Sequence, residues 1–143
     1  MNGICSDVFY TTIGVKQGGP LSPRLFALYI EHLITVIDDS NLGIKIGQMI
    51  VNILLYADDI VLLANTRSEL QKMIDLVEKF GNGLEIKFNP MKTNFISVNT
   101  HIKKNQTLNK KDNTILKING VIIEEVKSMK YLGNYVTSNL TNN

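Results

Sequence analysis

A chain of 143 residues with 44% apolar and 20% charged side chains has the size and composition of about one globular domain, which excludes a wholly disordered or fibrous protein. The single cysteine, Cys5, excludes an internal disulfide framework or a cysteine-rich zinc site, and no apolar run approaches the length of a membrane span. Net charge is only +2 but unevenly placed: residues 1–71 hold four Lys or Arg against seven Asp or Glu, and residues 72–143 hold eleven against six.

Residues 8–15 are apolar and β-branched and read as a strand entering a Gly-rich turn around Gly18-Gly19-Pro20. Ser22-Pro23 predicts a helix start, with Ser22 as N-cap and Pro23 at the first helical position. The helix covers 24–38, where Leu25, Phe26, Tyr29, Ile30, Leu33, Ile34 and Ile37 recur at helical spacing, a stripe most simply read as core packing. His32 lies off the centre of that stripe and is given no chemical role. Asp38-Asp39, followed by Ser40-Asn41-Leu42-Gly43, reads as a helix end running into a turn.

Residues 44–46 and 50–55, separated by Gly47-Gln48, predict a short hairpin. Residues 50–55 and 60–64 are continuous, rich in Val, Ile and Leu, and read as strands buried on both faces. Next, Thr66-Arg67-Ser68-Glu69 has the form of a capping box, in which Thr66 and Glu69 reciprocally satisfy backbone donors. Leu70, Met73, Ile74, Val77 and Phe80 make one helical face, ended by Gly81-Asn82-Gly83. Residues 84–88 and 95–98 predict strands around the turn Asn89-Pro90.

Residues 100–114 are polar and lysine-rich and read as a linker, with Lys103-Lys104 and Lys110-Lys111 as solvated charge. Beyond it, residues 115–118 and 121–123 flank Asn119-Gly120, a pair suited to a type I′ turn because both central residues need positive φ. Tyr131-Leu132 and Tyr135-Val136 add strand-like segments around Gly133. The pattern is α+β.

Between the two apolar strands stands Tyr56-Ala57-Asp58-Asp59. Charges set between apolar arms cost free energy unless ions, donors or water compensate them. A flat strand would send Asp58 and Asp59 to opposite faces, whereas a tight turn lets both approach one site. Adjacent carboxylates of this kind suit a metal ion, and the other reading is a solvated hairpin turn.

A second segment, Gly14-Val15-Lys16-Gln17-Gly18-Gly19-Pro20-Leu21-Ser22-Pro23, makes the pattern specific. Followed in order by Tyr56-Ala57-Asp58-Asp59, then Leu84-Glu85-Ile86-Lys87-Phe88-Asn89-Pro90-Met91-Lys92-Thr93, then Lys130-Tyr131-Leu132-Gly133, it resembles the reverse transcriptases, RNA-directed DNA polymerases, of non-LTR retrotransposons of the jockey-like kind. The resemblance implies a partial polymerase palm: an antiparallel sheet with two packed helices, plus a C-terminal β-hairpin. It divides the chain into palm (1–99), linker or loop (100–114) and a hairpin region continuing towards a thumb (115–143).

The same resemblance implies two-metal nucleotidyl transfer to a primer 3′ hydroxyl, with two Mg2+ ions held by Asp58 directly and by Asp59 in support. Lys92 is then expected near the leaving phosphates. Gln17 and Gly18 are expected beside the incoming nucleotide and its templating base, Tyr56 and Ala57 beside the primer end, and Tyr131, Leu132 and Gly133 in a hairpin gripping the primer. The implied partners are an RNA template, a DNA primer, deoxynucleoside triphosphates and the remainder of a longer polypeptide, in an intracellular setting, nuclear or cytoplasmic, and without a membrane.

Two residues depart from the family pattern: Gly19 stands where a cysteine is common, and Gly81-Asn82 where an aromatic residue often packs. A further aspartate expected on a strand upstream of Gln17-Gly18 does not fall in this sequence, nor do fingers or thumb. The isolated chain is therefore expected to be inactive and to expose an unpaired sheet edge. The alternatives are a non-catalytic nucleic-acid-binding remnant of a mobile element, a group II intron maturase, or the palm of an RNA-dependent RNA polymerase.

Overall fold

The computed structural model describes residues 19–98 and 112–138, so the expected strand over 8–15, Gln17, Gly18 and most of the lysine-rich linker lie outside the described residues. The element order is α1 (Ser22–Asp39), β1 (Ile44–Ile46), β2 (Met49–Val51), β3 (Ile53–Tyr56), β4 (Asp59–Leu62), α2 (Arg67–Gly83), a short 3-10 helix (Pro90–Lys92), β5 (Asn94–Phe95), β6 (Lys117–Ile118), β7 (Val121–Ile122), β8 (Glu124–Glu125), β9 (Ser128–Tyr131) and β10 (Asn134–Thr137). This is the expected α+β architecture, with two helices in contact and antiparallel strand pairs around them.

Leu21, not Ser22, occupies the N-cap of α1, and Pro23 sits within its first two positions. The backbone is already helical at Leu21, and Gly19 O accepts from Ser22 N at 3.1 Å, so the turn tightens one residue earlier than Ser22 would set it. Of the predicted stripe, Ile30, Leu33 and Ile37 are buried, while Leu25, Tyr29 and Ile34 remain exposed. The stripe is thus a core face on its inner edge only. His32 stacks at a tilt against Phe80, with ring centroids 6.0 Å apart.

Two apolar clusters share α2. Met73 and Val77 pack with Ile30, Leu33 and Ile37 of α1, while Ile74 packs with Leu116, Ile118 and Ile123. Leu62 and Phe88 touch both clusters and join them. The i, i+4 spacing of Met73 and Val77 builds the α1 side, and the one-residue offset of Ile74 turns it to the C-terminal strands.

Local turn chemistry sets the hairpins. Asn119 and Gly120 take φ of +50° and +74°, as a type I′ turn requires, and Leu132 and Gly133 repeat this at +48° and +85° between β9 and β10. Thr66 caps α2 by accepting from Glu69 N at 3.1 Å, and the Glu69 carboxylate also accepts from Asn65 N at 2.8 Å and Gly43 N at 3.1 Å.

The expected hairpin around Asn89-Pro90 does not form. Gly81 lies so close to Phe88 that an added Cβ would fall 2.6 Å from its ring, and Ile86 N donates to Gly81 O at 2.8 Å. Residues 84–88 therefore fold back on the end of α2, and Asn89 starts a 3-10 turn. β5 instead pairs in parallel with β8, Asn94 opposite Glu124 and Phe95 opposite Glu125. The aromatic packing thought missing at Gly81-Asn82 is supplied by Phe88 from downstream.

Candidate active site

β3 and β4 form an antiparallel hairpin in the register Ile53 to Leu62, Leu54 to Val61, Leu55 to Ile60 and Tyr56 to Asp59. The turn is Ala57-Asp58, with Ala57 at φ +51°. Contrary to the expectation of strands buried on both faces, β3 alternates half-buried and exposed residues, because its outer face, Leu54 and Tyr56, has no covering layer among the described residues. Tyr56, Ala57, Asp58 and Asp59 are all exposed.

The run expected as one strand over 50–55 breaks at Asn52, which is 4% exposed. Its side-chain Nδ2 donates to Asp38 Oδ1 at 2.9 Å and its backbone carbonyl accepts from Leu63 N at 2.8 Å. Asp38, read as an ordinary helix-end residue, thereby secures one foot of the hairpin. At the other foot, Asn65 Nδ2 donates to Gly43 O at 2.7 Å while Glu69 accepts from Asn65 N and Gly43 N. Gly43 has φ +132°, and a Cβ there would lie 2.7 Å from the Asn52 Cβ, so glycine is required. Partial desolvation raises the Glu69 carboxyl, but the donors of Gly43, Asn65 and Thr66 outweigh it and hold it below the usual glutamate range. Sequence reading missed this clasp; the polar Asn52 inside an apolar run was its one visible signal.

A cleft of about 770 Å³ opens beside the hairpin tip. Ala57, Asp58 and Asp59 line it from the turn, Phe26 and Ile30 from α1, Lys87, Asn89 and Lys92 from the stretch after α2, and Lys130 and Tyr131 from β9. Four sequence-distant segments thus converge, among them Asp58, Asp59, Lys92 and Tyr131 of the predicted site. Tyr56, Leu132 and Gly133 are not among the lining residues, and Gln17 and Gly18 lie outside the described residues. Lys87 and Lys130 are lining residues that sequence reading quoted within motifs without assigning a role.

Asp58 and Asp59 offer adjacent, exposed carboxylate oxygens to one space, a donor set that fits a hard divalent cation whose remaining positions are filled by water or phosphate oxygens. Among the described residues no third His, Cys, Asp or Glu completes a cluster with them. No helix of the described residues is long and apolar enough to cross a membrane.

A family model described as reverse transcriptase (RNA-dependent DNA polymerase) matches residues 1–136. The Retrovirus-related Pol polyprotein from type-2 retrotransposable element R2DM of Drosophila melanogaster is 36% identical over 107 residues, which are 75% of this chain and 10% of that protein. The corresponding Pol polyprotein from type-1 retrotransposable element R2 of Nasonia vitripennis is 40% identical over 65 residues, 46% of this chain and 6% of that protein. One from Popillia japonica is 28% identical over 127 residues, 85% of this chain and 17% of its own length. The chain spans less than a fifth of each of these relatives, and they are R2 elements, not the jockey-like ones expected from the motifs. On the match over nearly its whole length, the chain belongs to the reverse transcriptase family.

Proposed function

We propose that the chain is part of the palm of an RNA-directed DNA polymerase of an R2-type non-LTR retrotransposon, extending a DNA primer on an RNA template with deoxynucleoside triphosphates inside the cell. Residues 1–99 and 115–143 belong to the palm and to the hairpin region leading from it, joined by 100–114. The observation that carries this reading is the convergence of Asp58, Asp59, Lys92 and Tyr131 on one cleft.

In this reading Asp58 directly, with Asp59 in support, would hold Mg2+, which when bound would activate the primer hydroxyl and neutralise charge on the departing pyrophosphate. The Ala57-Asp58 turn brings both carboxylates to the same space. Lys92, presented by the 3-10 helix, neutralises or protonates the leaving phosphate oxygens, since an ammonium can do either. Tyr131 offers a half-buried aromatic wall to the primer end, with Leu132 and Gly133 shaping the turn that carries it and Tyr56 and Ala57 flanking the primer from the acidic hairpin. Gln17 and Gly18 serve the incoming nucleotide, where glycine permits close backbone approach. Two carboxylates alone hold Mg2+ loosely, and among the described residues no third joins them.

Magnesium-dependent primer extension on RNA by a polypeptide extended to the length of the R2 relatives tests this reading. Asp58→Asn should lower the rate by more than about a hundredfold, beyond the range typical of residues that merely orient a metal ligand. Equal rates for the variant and the parent would remove Asp58 from the mechanism.

A further inference from the structure

Asn119-Gly120 places both turn residues at positive φ and so sets the hairpin that it closes. Ala57-Asp58 does not. Ala57 takes φ +51° without being glycine or asparagine, and the arms that it joins, Ile53-Leu54-Leu55 and Ile60-Val61-Leu62, are apolar at every position. Neither turn chemistry nor an alternation of apolar and polar residues therefore fixes how β3 and β4 pair, although a slip of one residue would send Asp59 to the opposite face. Among the described residues the two strands make a sheet by themselves, so no third strand supplies the register either.

Register is left to the feet, and one foot is built from two residues that each disfavour their own element. Asp38 stands in the last turn of α1, which holds no basic residue, so its carboxylate is opposed by the negative end of the helix dipole. Asn52 is the one buried polar side chain among the described residues, inside a run that an apolar residue would suit better. The two side chains meet at 2.9 Å on backbone that is held on both sides. Asn41 N donates to Asp38 O at 3.0 Å, and Asn52 O, accepting from Leu63 N, extends the ladder one pair past Ile53 and Leu62. The second foot, Asn65 with Gly43 and Glu69, holds the exit of β4, whereas the entry of β3 rests on Asn52. Local rules broken by both partners of one contact mark a device kept for position, not for stability.

We propose that Asp38 and Asn52 form a positioning pin that fixes the register of the β3–β4 hairpin along α1 and thereby holds Asp58 and Asp59 at the cleft. α1 serves both ends of the arrangement: its last turn carries the pin, and its Phe26 and Ile30 line the cleft beside the carboxylates. Tyr56 lies four residues beyond Asn52, roughly 13 Å along an extended strand, so a slip at the foot is passed on to the tip. Neither Asp38 nor Asn52 lines the cleft, and both act through the carboxylates. The pin rests on the polymerase reading only for the use to which those carboxylates are put.

The test uses the 143-residue chain, with amide hydrogen exchange followed by NMR in metal-free buffer, stability read by urea, and titration with Tb3+, an oxygen-seeking stand-in for Mg2+ excited through Tyr56. Asn52→Val should be at least as stable as the parent, yet exchange the amides of 53–62 about tenfold faster through local opening and bind Tb3+ about tenfold more weakly. Asp38→Ala, a change at an exposed position, should reproduce the faster exchange and the weaker binding. Asp38→Asn, which keeps an acceptor for Asn52, should behave as the parent does. Parental exchange in both Asn52→Val and Asp38→Ala would overturn the pin. So would acceleration spread evenly over α1 and α2 with lost urea stability, the mark of a merely structural role. Asp58→Asn separates the two readings: it should remove Tb3+ emission and leave the exchange of 53–62 unchanged. Emission that survives Asp58→Asn would overturn the carboxylate mechanism, while the exchange of the Asn52 and Asp38 variants still decides the pin.

Discussion

Gly81 is bare because the Phe88 ring occupies the space a side chain would need. Gly81→Ala would place a methyl 2.6 Å from that ring and 2.8 Å from the Ile86 carbonyl oxygen, a backbone atom that cannot step aside. Overpacking of this kind costs about 1–3 kcal/mol, which exceeds the roughly 1 kcal/mol that alanine gains over glycine in a helix. Urea denaturation should show Gly81→Ala less stable than the parent, with a smaller penalty in a Phe88→Ala background, where the ring clash is gone and only the one with the Ile86 carbonyl remains. A stabilised Gly81→Ala would mean that the close approach is not maintained in solution. At the same scale, Asp58 and Asp59 were legible as a hairpin tip because no turn residues follow them, and Asp38 as a helix end, but its bond to Asn52 was not: the partner is 14 positions away, and nothing local announces it.

The β3–β4 hairpin is an element held at both feet, by Asp38–Asn52 on one side and Gly43–Asn65–Glu69 on the other. Glu69 is the ionisable member of the second foot. Its folded-state carboxyl titrates below the ordinary value of 4.5, so its contribution is fully present above that value and is lost as pH falls through the lower folded one. Glu125 follows the same sign, held down chiefly by the Ser97 hydroxyl and then by Arg67 against partial desolvation. Stability measured by urea titration should therefore be level near neutrality and fall in the acid range below the ordinary carboxylate values. Glu69→Gln should be less stable at neutral pH by about 1–2 kcal/mol and should show a shallower acid decline. An identical acid slope in parent and variant would exclude Glu69 as a contributor. Elements with local causes were readable in advance: Asn119-Gly120 fixes its own turn, and Thr66 its own cap. The strand expected over 84–88 was not, since a tertiary contact with Gly81 and a distant partner for β5 overrode an apolar run that was otherwise suited to pairing.

On the scale of the whole molecule, the family and the polar tip could be read from motif order, but the cleft could not. It exists only because β9 and the stretch after α2 are brought opposite the acidic hairpin, through contacts made across residues 99–111. Those contacts are dense. The Gln71 side-chain amide both donates to Lys117 O at 3.0 Å and accepts from Lys117 N at 2.7 Å, so α2 acts as a neighbouring strand to β6. Arg67 bonds Glu125 at 2.7 Å and Ser97 at 3.2 Å while its guanidinium lies 5.0 Å from the Phe95 ring centre. Ile74 closes an apolar cluster with Leu116, Ile118 and Ile123. Such cohesion has a practical corollary: the polypeptide should be divisible. Separately produced pieces 1–98 and 112–143 should recombine into a stoichiometric pair on mixing, and Arg67→Ala or Ile74→Asp in the larger piece should prevent it. Calorimetric titration of one piece into the other reads the outcome directly, and absence of heat would show that covalent continuity, not the α2 surface, keeps the far wall in place.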